Sequence, residues 1–447
     1  MLTKNQLYTV IIESCTVEGY GVCRLDGRAV FVSGALPGEE CEIQILKVTN
    51  TAVWAKSRRL LAAQPARIPN TCPNPCGGCS LRHLDYAEEL KIKKQHVDDC
   101  LRRLGGQEKE TDCIHPSPLV DRYRNKAVFA VGERDGKAVF GFYRPRSHDL
   151  IPVSDCLLQS EHCLQAAKAV TDFMNREGIS PYREENGKGT VRHIFWRESD
   201  RDAVLCITAA RGFGSRTEAL VAFLRDTCPF LTDIVLNINK SRLNTILTGE
   251  FYTLWGSETV RQRFCGAEFE VQPQAFLQVN PQQAEAIYEK VREWAIPTGT
   301  KPEILDLYCG AGTITLCLAG SAGHVTGVEI VPEAVENAKK SAERNGILNA
   351  DFFCADSSEL GKLNIHPDTA VVDPPRKGLD ERVVTDLAAL GPERIVYVSC
   401  NPATLARDLK RFEEQGYILE RAEAYDMFPR TAHVETIVLF NNKKGNH

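Results

Sequence analysis

Cys400 stands directly after the apolar run Arg-Ile-Val-Tyr-Val, in the order Ser399-Cys400-Asn401-Pro402, and the helical sequence ATLARDLKRF follows it. A thiol placed where a strand hands over to a helix is displayed at the sheet edge, and the positive end of the helix favours its thiolate. Glu435 opens another apolar run, ETIVLF. If that last strand runs antiparallel to its neighbours, it begins at the edge where theirs end, and its carboxylate faces the thiol. Each residue alone has a plain structural explanation, a buried cysteine or an edge-strand carboxylate that blocks sheet-to-sheet pairing. Together they suit one chemistry. Carbon 5 of a pyrimidine is too weak a nucleophile to accept an alkyl group unaided, but thiolate addition at carbon 6 makes carbon 5 enolate-like. A base must then remove the carbon-5 proton before the thiol can leave.

The carbon to be transferred needs a donor, and a second group of residues indicates one. The strand ILDLY runs into Cys309-Gly310-Ala311-Gly312-Thr313, with Asp306 four residues before Gly310. Glycines at a strand-to-helix turn let backbone approach a ligand closely. The third glycine of a dinucleotide fingerprint is missing, because Thr315 stands there, which weakens a nicotinamide or flavin reading. Glu329, nineteen residues past Gly310, ends the next strand, where an acid can accept hydrogen bonds from ribose hydroxyls. Asp356 and Asp373 end the two strands that follow. Helix capping explains any one such acid. The ordered series fits a cationic adenosine ligand, S-adenosylmethionine. Asp373-Pro374-Pro375 is followed by Arg376 instead of the aromatic expected of an enzyme methylating an exocyclic nitrogen, which favours carbon as the acceptor.

Three kinds of element must position these groups. From about residue 281, a helix (QQAEAIYEKVREWA) precedes the strands EILDLY, HVTGVE, ADFFCAD, TAVVDPP and RIVYVSC, each separated by helical sequence. This predicts an α/β Rossmann-like domain over 281–447 with a mostly parallel sheet. YILERAEAYDMF and HVETIVLF lack an intervening helix and predict an antiparallel final hairpin. Residues 1–61 are short β-rich runs broken by Gly and by Leu-Pro-Gly-Glu, which predicts a small OB-like β-barrel. Residues 62–280 predict a central α+β domain: a Pro- and Cys-rich stretch to residue 79, a helix over 86–104 that can pack on the catalytic domain, then mixed strands and helices.

At 447 residues, about three domains of ~150 residues are expected. No apolar run reaches the ~18 residues of a membrane span, and MLTKNQLYTV lacks the succession of a secretory signal. A cytoplasmic protein is expected, in which 17 cysteines are not a disulfide framework. Cys206, Cys317 and Cys354, single in apolar runs, read as small hydrophobes. With a net charge of −5, an anionic partner such as RNA has to be met by local basic patches. Leu119 to Leu150 offers one: Arg122, Arg124, Lys126, Arg134, Lys137, Arg144 and Arg146, against four acids, interleaved with Tyr123, Phe129, Phe140, Phe142 and Tyr143. Cations for phosphates beside aromatic planes for bases suit single-stranded RNA. A solvated strand face with core aromatics is the plainer reading of each residue.

The segments DLYCGAGTITLCLA, VVDPPRKGLD, VSCNPATLARDL and DMFPRTAHVETIVLF closely resemble those of the RNA uracil-5-methyltransferases, which make 5-methyluridine in ribosomal or transfer RNA. The N-terminal part resembles the family's TRAM barrel, so the likeness spans nearly the whole chain. It implies Cys400 as nucleophile and Glu435 as proton acceptor. It implies that Gln278 in AFLQVN, Tyr308, Gly310, Gly312, Glu329, Asp356 and Asp373 contact S-adenosylmethionine. It implies a monomer acting on RNA, with 23S ribosomal RNA the first expectation and transfer RNA the alternative. It further implies that Cys72, Cys76, Cys79 and Cys156 hold a [4Fe-4S] cluster, although the first gap is three residues where five is commoner in the family. Four thiolates also suit zinc. The same three-two spacing occurs in radical S-adenosylmethionine enzymes, which usually carry an aromatic where this chain has Gly78. An RNA cytosine-5-methyltransferase and a non-catalytic RNA-binding assembly factor are the competing functions.

Overall fold

The protein is described from a computed structural model covering residues 2–443 except 17, 145–146, 242–244, 258 and 364. Arg146 of the basic segment lies outside the described residues. The N-terminal region is a six-stranded sheet of β1 (Leu7–Ile11), β2 (Ser14–Cys15), β3 (Gly21–Leu25), β4 (Arg28–Ser33), β5 (Glu40–Val48) and β6 (Val53–Ala62), in the order β1-β5-β6-β4-β3-β2. Alternate residues Cys41, Ile43 and Ile45 of β5 are fully buried against Val30, Val32 and Val53, the two-residue period that makes this an OB-like unit.

After helix α1 (Tyr86–Arg103) and the short strand β7 (Cys113–His115), a seven-stranded sheet forms from β8 (Lys126–Arg134), β9 (Lys137–Tyr143), β10 (Leu150–Pro152), β11 (Val191–Glu198), β12 (Ala203–Ala209), β13 (Asp233–Ile238) and β14 (Glu250–Trp255). Helices α2 (Glu161–Glu177) and α3 (Thr217–Thr227) cover one face. Ser160 caps α2 by accepting from the Cys163 amide at 3.1 Å, and left-handed Gly178 ends it. The other face, through Phe195, Val204 and Cys206, packs on the hairpin β15 (Val260–Phe264) and β16 (Ala267–Val271) and on α4 (Pro281–Ala295).

The C-terminal region has β17 (Glu303–Leu307), α5 (Thr313–Ala319), β18 (His324–Glu329), α6 (Pro332–Arg344), β19 (Ala350–Cys354), β20 (Thr369–Val372), α7 (Glu381–Leu390), β21 (Arg394–Ser399), α8 (Pro402–Glu414), β22 (Tyr417–Tyr425) and β23 (Glu435–Asn442). Its eight strands are ordered β19-β18-β17-β20-β21-β23-β22-β7. β23 is antiparallel to both neighbours, and β17 to β21 are mutually parallel, as expected of a Rossmann-like sheet with a reversed terminal strand. α4 and α5 lie on one face with the hairpin, while α1, α7 and α8 cover the other. Residues 62–280 are therefore divided between two sheets: α1 packs on α8, and β7 pairs in parallel with β22 at the outer edge of the C-terminal sheet. Among the described residues no helix is long and apolar enough to cross a membrane.

Candidate active site

The reversal of β23 decides what meets at the sheet edge. The β21–β23 register ends at Ser399 opposite Thr436, and the next position places Cys400 opposite Glu435. Across the sheet, Glu435 pairs with Tyr425 of β22. Glu435 is 3 % exposed although charged residues rarely occupy such positions unpaired. Burial, then the nearby Asp373 carboxylate, push its pKa well above the ordinary value, against the opposing pull of the Arg376 guanidinium. Burial, with Glu435 and Asp373, also raises the half-buried Cys400 thiol to about 11, again opposed by Arg376, which hydrogen-bonds it. Asp373 closes β20 in a deep, half-open position, where burial lifts its carboxyl to about 7.

Arg376 is the cation of this group, and the loop that carries it is fixed from behind. The Arg376 carbonyl accepts from Asn401 Nδ2 and Thr404 Oγ1, both at 3.3 Å. Asn401 also caps α8, accepting from the Ala403 amide at 3.1 Å, and Pro402 occupies the first turn. Gly378 has φ +74°, and a Cβ there would stand 2.4 Å from Asp408 Oδ2. That oxygen accepts from the Leu379 amide at 2.8 Å and from the Tyr397 hydroxyl at 2.9 Å. His433, two residues before Glu435, has its ring 3.2 Å from Arg376 Nη2.

Around the glycine turn, Tyr308 and Gly312 have left-handed φ values of 67° and 79°. Gly312 faces Ala338 and Phe352 at 3.0 Å from its would-be Cβ, so a larger residue would be tight against them as well as strained at this φ. Gly310 faces open space instead. Its amide donates to Glu329 Oε2 at 3.1 Å, while Glu329 Oε1 accepts from the Ile330 and Val331 amides at 2.9 Å. Glu329 is thus held rigidly at the tip of β18, with Ile330 57 % exposed beside it. Tyr308 donates to Ser357 Oγ at 3.0 Å. Asp356 is exposed past the end of β19. Gln278 lies two residues before the α4 cap Asn280, and Asn280 Nδ2 donates to the Met427 carbonyl on the β22–β23 connection at 3.2 Å. The seven residues expected around a cofactor therefore come from the ends of β17, β18, β19 and β20 and from the approach to α4.

Asp306 and Arg376 stand in the sequence motifs without an assigned role, and no sequence signal marks His433. Asp306 is fully buried beneath the glycine turn and accepts from Thr315 Oγ1 at 2.6 Å. Burial, mainly, raises it to about 7. The Thr at the missing third glycine was the available signal, because its hydroxyl supplies a donor to that acid.

The aromatics of the basic segment are corrected by the fold. Tyr123, Phe129 and Phe140 are buried in the core under α2, because alternate residues of β8 and β9 face it, and they offer no plane to a base. Tyr143 remains 41 % exposed. Arg122, Arg124 and Arg263, with Glu198, Asp200, Glu285 and Asn280, line a cavity of about 390 Å³ between the central sheet and α4.

The four cysteines converge on the loops flanking this segment. Cys156 receives the Leu158 and Gln159 amides and faces Cys72 and Cys76, while Cys79 lies near Cys156 and Cys72, beside Arg82. Arg122 binds the Cys156 and Gln159 carbonyls at 2.6 and 2.8 Å, and Asn74 Nδ2 donates to the Asp155 carbonyl. Among the described residues no three of these sulfurs lie within 4.8 Å of one another.

Comparison with known proteins agrees with this geometry. Residues 260–443 match the family described as tRNA (Uracil-5-)-methyltransferase, and residues 2–56 match the TRAM domain. An uncharacterized RNA methyltransferase of Bacillus cereus is 39 % identical, covering 98 % of this chain and 97 % of that one. Another, from Clostridium tetani, is 37 % identical over 98 % and 96 %. The crystal structure of Pyrococcus abyssi tRNA (uracil-54, C5)-methyltransferase in complex with S-adenosyl-L-homocysteine superposes with a TM-score of 0.79 at 26 % identity, covering 97 % of this chain and all of the other.

Proposed function

The chain belongs to the TRAM-containing RNA uracil-5-methyltransferase family and is an S-adenosylmethionine-dependent RNA methyltransferase of uracil carbon 5, and from that premise we propose its covalent mechanism, site residues and RNA. Cys400 Sγ adds to carbon 6 of the target uracil, and carbon 5 gains the electrons to form its new bond. S-adenosylmethionine, when bound, supplies the electrophilic methyl group. Glu435 then takes the carbon-5 proton, the carbon–sulfur bond breaks, and Cys400 is restored. The cross-strand placement of Cys400 beside Glu435, with Arg376 on the thiol, carries this reading.

Glu329 is assigned to the ribose hydroxyls, Gly310 to close backbone approach with Gly312 making the left-handed turn beside it, and Asp373 to the positive end of the donor. Tyr308, Gln278 and Asp356 complete the contacts. The open space over Gly310 and the fixed Glu329 carboxylate support that fit.

Transfer RNA replaces ribosomal RNA as the preferred substrate, because both the matched family and the superposed enzyme are named for it. Arg122, Arg124 and Arg263, in the mixed-charge cavity beside Asn280, are assigned to RNA phosphates, and the target base leaves its stack to reach Cys400. Cys72, Cys76, Cys79 and Cys156 are assigned to a [4Fe-4S] cluster. Four thiolates converging from two loops, with amides aimed at the Cys156 sulfur, suit a ligated cluster. Methylating total RNA from cells lacking the protein, then mapping the methyl group by mass spectrometry, tests the function. 5-Methyluridine in transfer RNA is expected; 5-methylcytidine or no transfer would refute the uracil reading, and 5-methyluridine confined to ribosomal RNA would refute the substrate assignment.

A further inference from the structure

Three donor side chains outside the reaction centre meet at the far edge of the C-terminal sheet. β7 and β22 pair with Cys113 opposite Glu423 and His115 opposite Tyr425. Residues two apart on a strand share a face, and paired residues face the same way, so Cys113, His115 and Glu423 rise on one side. Cys113 Sγ is 3.2 Å from His115 Nε2, which is 2.7 Å from Glu423 Oε2. All three donor atoms lie within 4.8 Å of one another. We propose that they form a divalent transition-metal site whose donor set fits zinc best.

A thiolate, an imidazole and a carboxylate are the ligand types zinc takes in protein sites, at bond lengths of about 2.0–2.3 Å. Donors around such an ion stand about 3.2–3.8 Å apart, so a small opening of the present cluster admits it. On binding, Cys113 gives its thiol proton to solvent, the proton between His115 Nε2 and Glu423 Oε2 leaves with the imidazole protonated on Nδ1 instead, and that hydrogen bond is replaced by two metal bonds.

The surroundings already hold the donors in place, as ligating side chains require. Arg421 Nη2 donates to Glu423 Oε1 at 3.1 Å, which turns Oε2 toward His115. The His115 ring stacks on Tyr425 at 4.3 Å, and its carbonyl accepts from Gln283 Nε2 and the Asp426 amide. Lys290 Nζ, 3.7 Å from Glu423 Oε2, competes for that charge, but Glu293 holds it more closely at 2.7 Å. Of the three donors, His115 also lines a cavity of about 360 Å³, together with Glu289, Lys290 and Glu293. An ion held by the three donors would clamp β7 to β22. His115 pairs with Tyr425 and Tyr425 with Glu435, so the clamp lies two strands, roughly 10 Å, from the assigned base.

The test compares the full chain with Cys113→Ser and with His115→Ala, whose half-exposed side chain can be lost without opening the core. Each is purified without air, dialysed against Zn²⁺ and analysed for zinc and iron; Co²⁺ is substituted in parallel. The wild type should hold one more zinc per chain than either variant at equal iron content, and the sulfur-to-cobalt charge-transfer band should vanish in Cys113→Ser. Equal zinc in all three proteins, or a cobalt spectrum indifferent to Cys113, overturns the site.

Discussion

Cys400 and Glu435 are cross-strand neighbours, one residue beyond the last paired position of β21 and β23, and Glu435 reaches the site only because the final strand is reversed. The two roles assigned to them separate in experiment. Cys400→Ala should abolish transfer while S-adenosylmethionine still binds. Glu435→Gln should permit addition and methyl transfer but stall elimination, leaving protein covalently attached to RNA on a denaturing gel. Turnover by Cys400→Ala would refute the nucleophile assignment.

The Cys400 thiol, raised to about 11, is about one part in a thousand ionised at pH 8. The thiolate fraction increases with pH, so single-turnover rates set by its addition should climb about tenfold per unit between pH 6.5 and 9. Arg376→Ala removes the opposing cation. A one-unit further rise in the thiol would cost about tenfold in rate at fixed pH, and Arg376→Lys should restore part of it. A profile unchanged by Arg376→Ala would show that the guanidinium does not act on the thiol.

Burial lifts Asp373 to about 7, so it ionises across the neutral range. A cationic ligand binds the ionised form better. Affinity for S-adenosylmethionine should therefore increase from pH 6 to 8, while S-adenosylhomocysteine, without the sulfonium charge, should change less; calorimetry measures both. In the ligand-free protein the sign reverses. The folded state retains Asp373's proton longer than the unfolded chain, so this group lowers stability as pH rises from about 4 to about 7.

Protein purified without air should be brown, with broad visible absorption and iron and sulfide in equal amounts. Cys156→Ser should bleach it. A colourless wild type carrying only zinc would contradict the cluster assignment.

Two fully buried cations should respond in opposite ways to replacement by methionine. Lys93 is paired at 2.7 Å with both Glu89 and Asp426, and Lys93→Met leaves two buried acids without it, a loss of about 3–5 kcal/mol. Arg197 is 1 % exposed, and among the described residues no guanidinium nitrogen has a hydrogen-bond partner; burial alone lowers it to about 10. Arg197→Met should be neutral or stabilising by about 1–4 kcal/mol. Denaturant unfolding measures both.

The parts of this architecture that repeat a period were legible in the residues. Apolar strands alternating with helical sequence marked β17 to β21, and the missing helix before HVETIVLF marked the reversal that brings Glu435 to Cys400. What escaped has no period. β7 is three residues long, and only its pairing with β22 assigns it to the C-terminal sheet. Cys113 and Glu423 lie far apart in the chain, and register alone joins them. The aromatics of 119–150 misled because spacing alone does not say which face of a strand is covered. Arg376 stood in plain view as a departure from the aromatic expected there, but its hold on the thiol depends on the Asp408-anchored turn.

The ion cluster beneath the β22–β23 connection joins residues from opposite ends of the chain. Lys93 and Glu89 of α1 hold Asp426 and the Arg430 amide, and the Leu81 amide donates to the Arg430 carbonyl at 3.1 Å. The catalytic half is consequently not an autonomous unit of the gene: a fragment starting at α4 lacks both an outer strand and the counter-ions of its own loop. During synthesis, the Lys93–Glu89 pair of α1 must wait for Asp426 and Arg430 before the cluster is complete. Chains that stop short should be inert, with no partially competent enzyme released onto RNA.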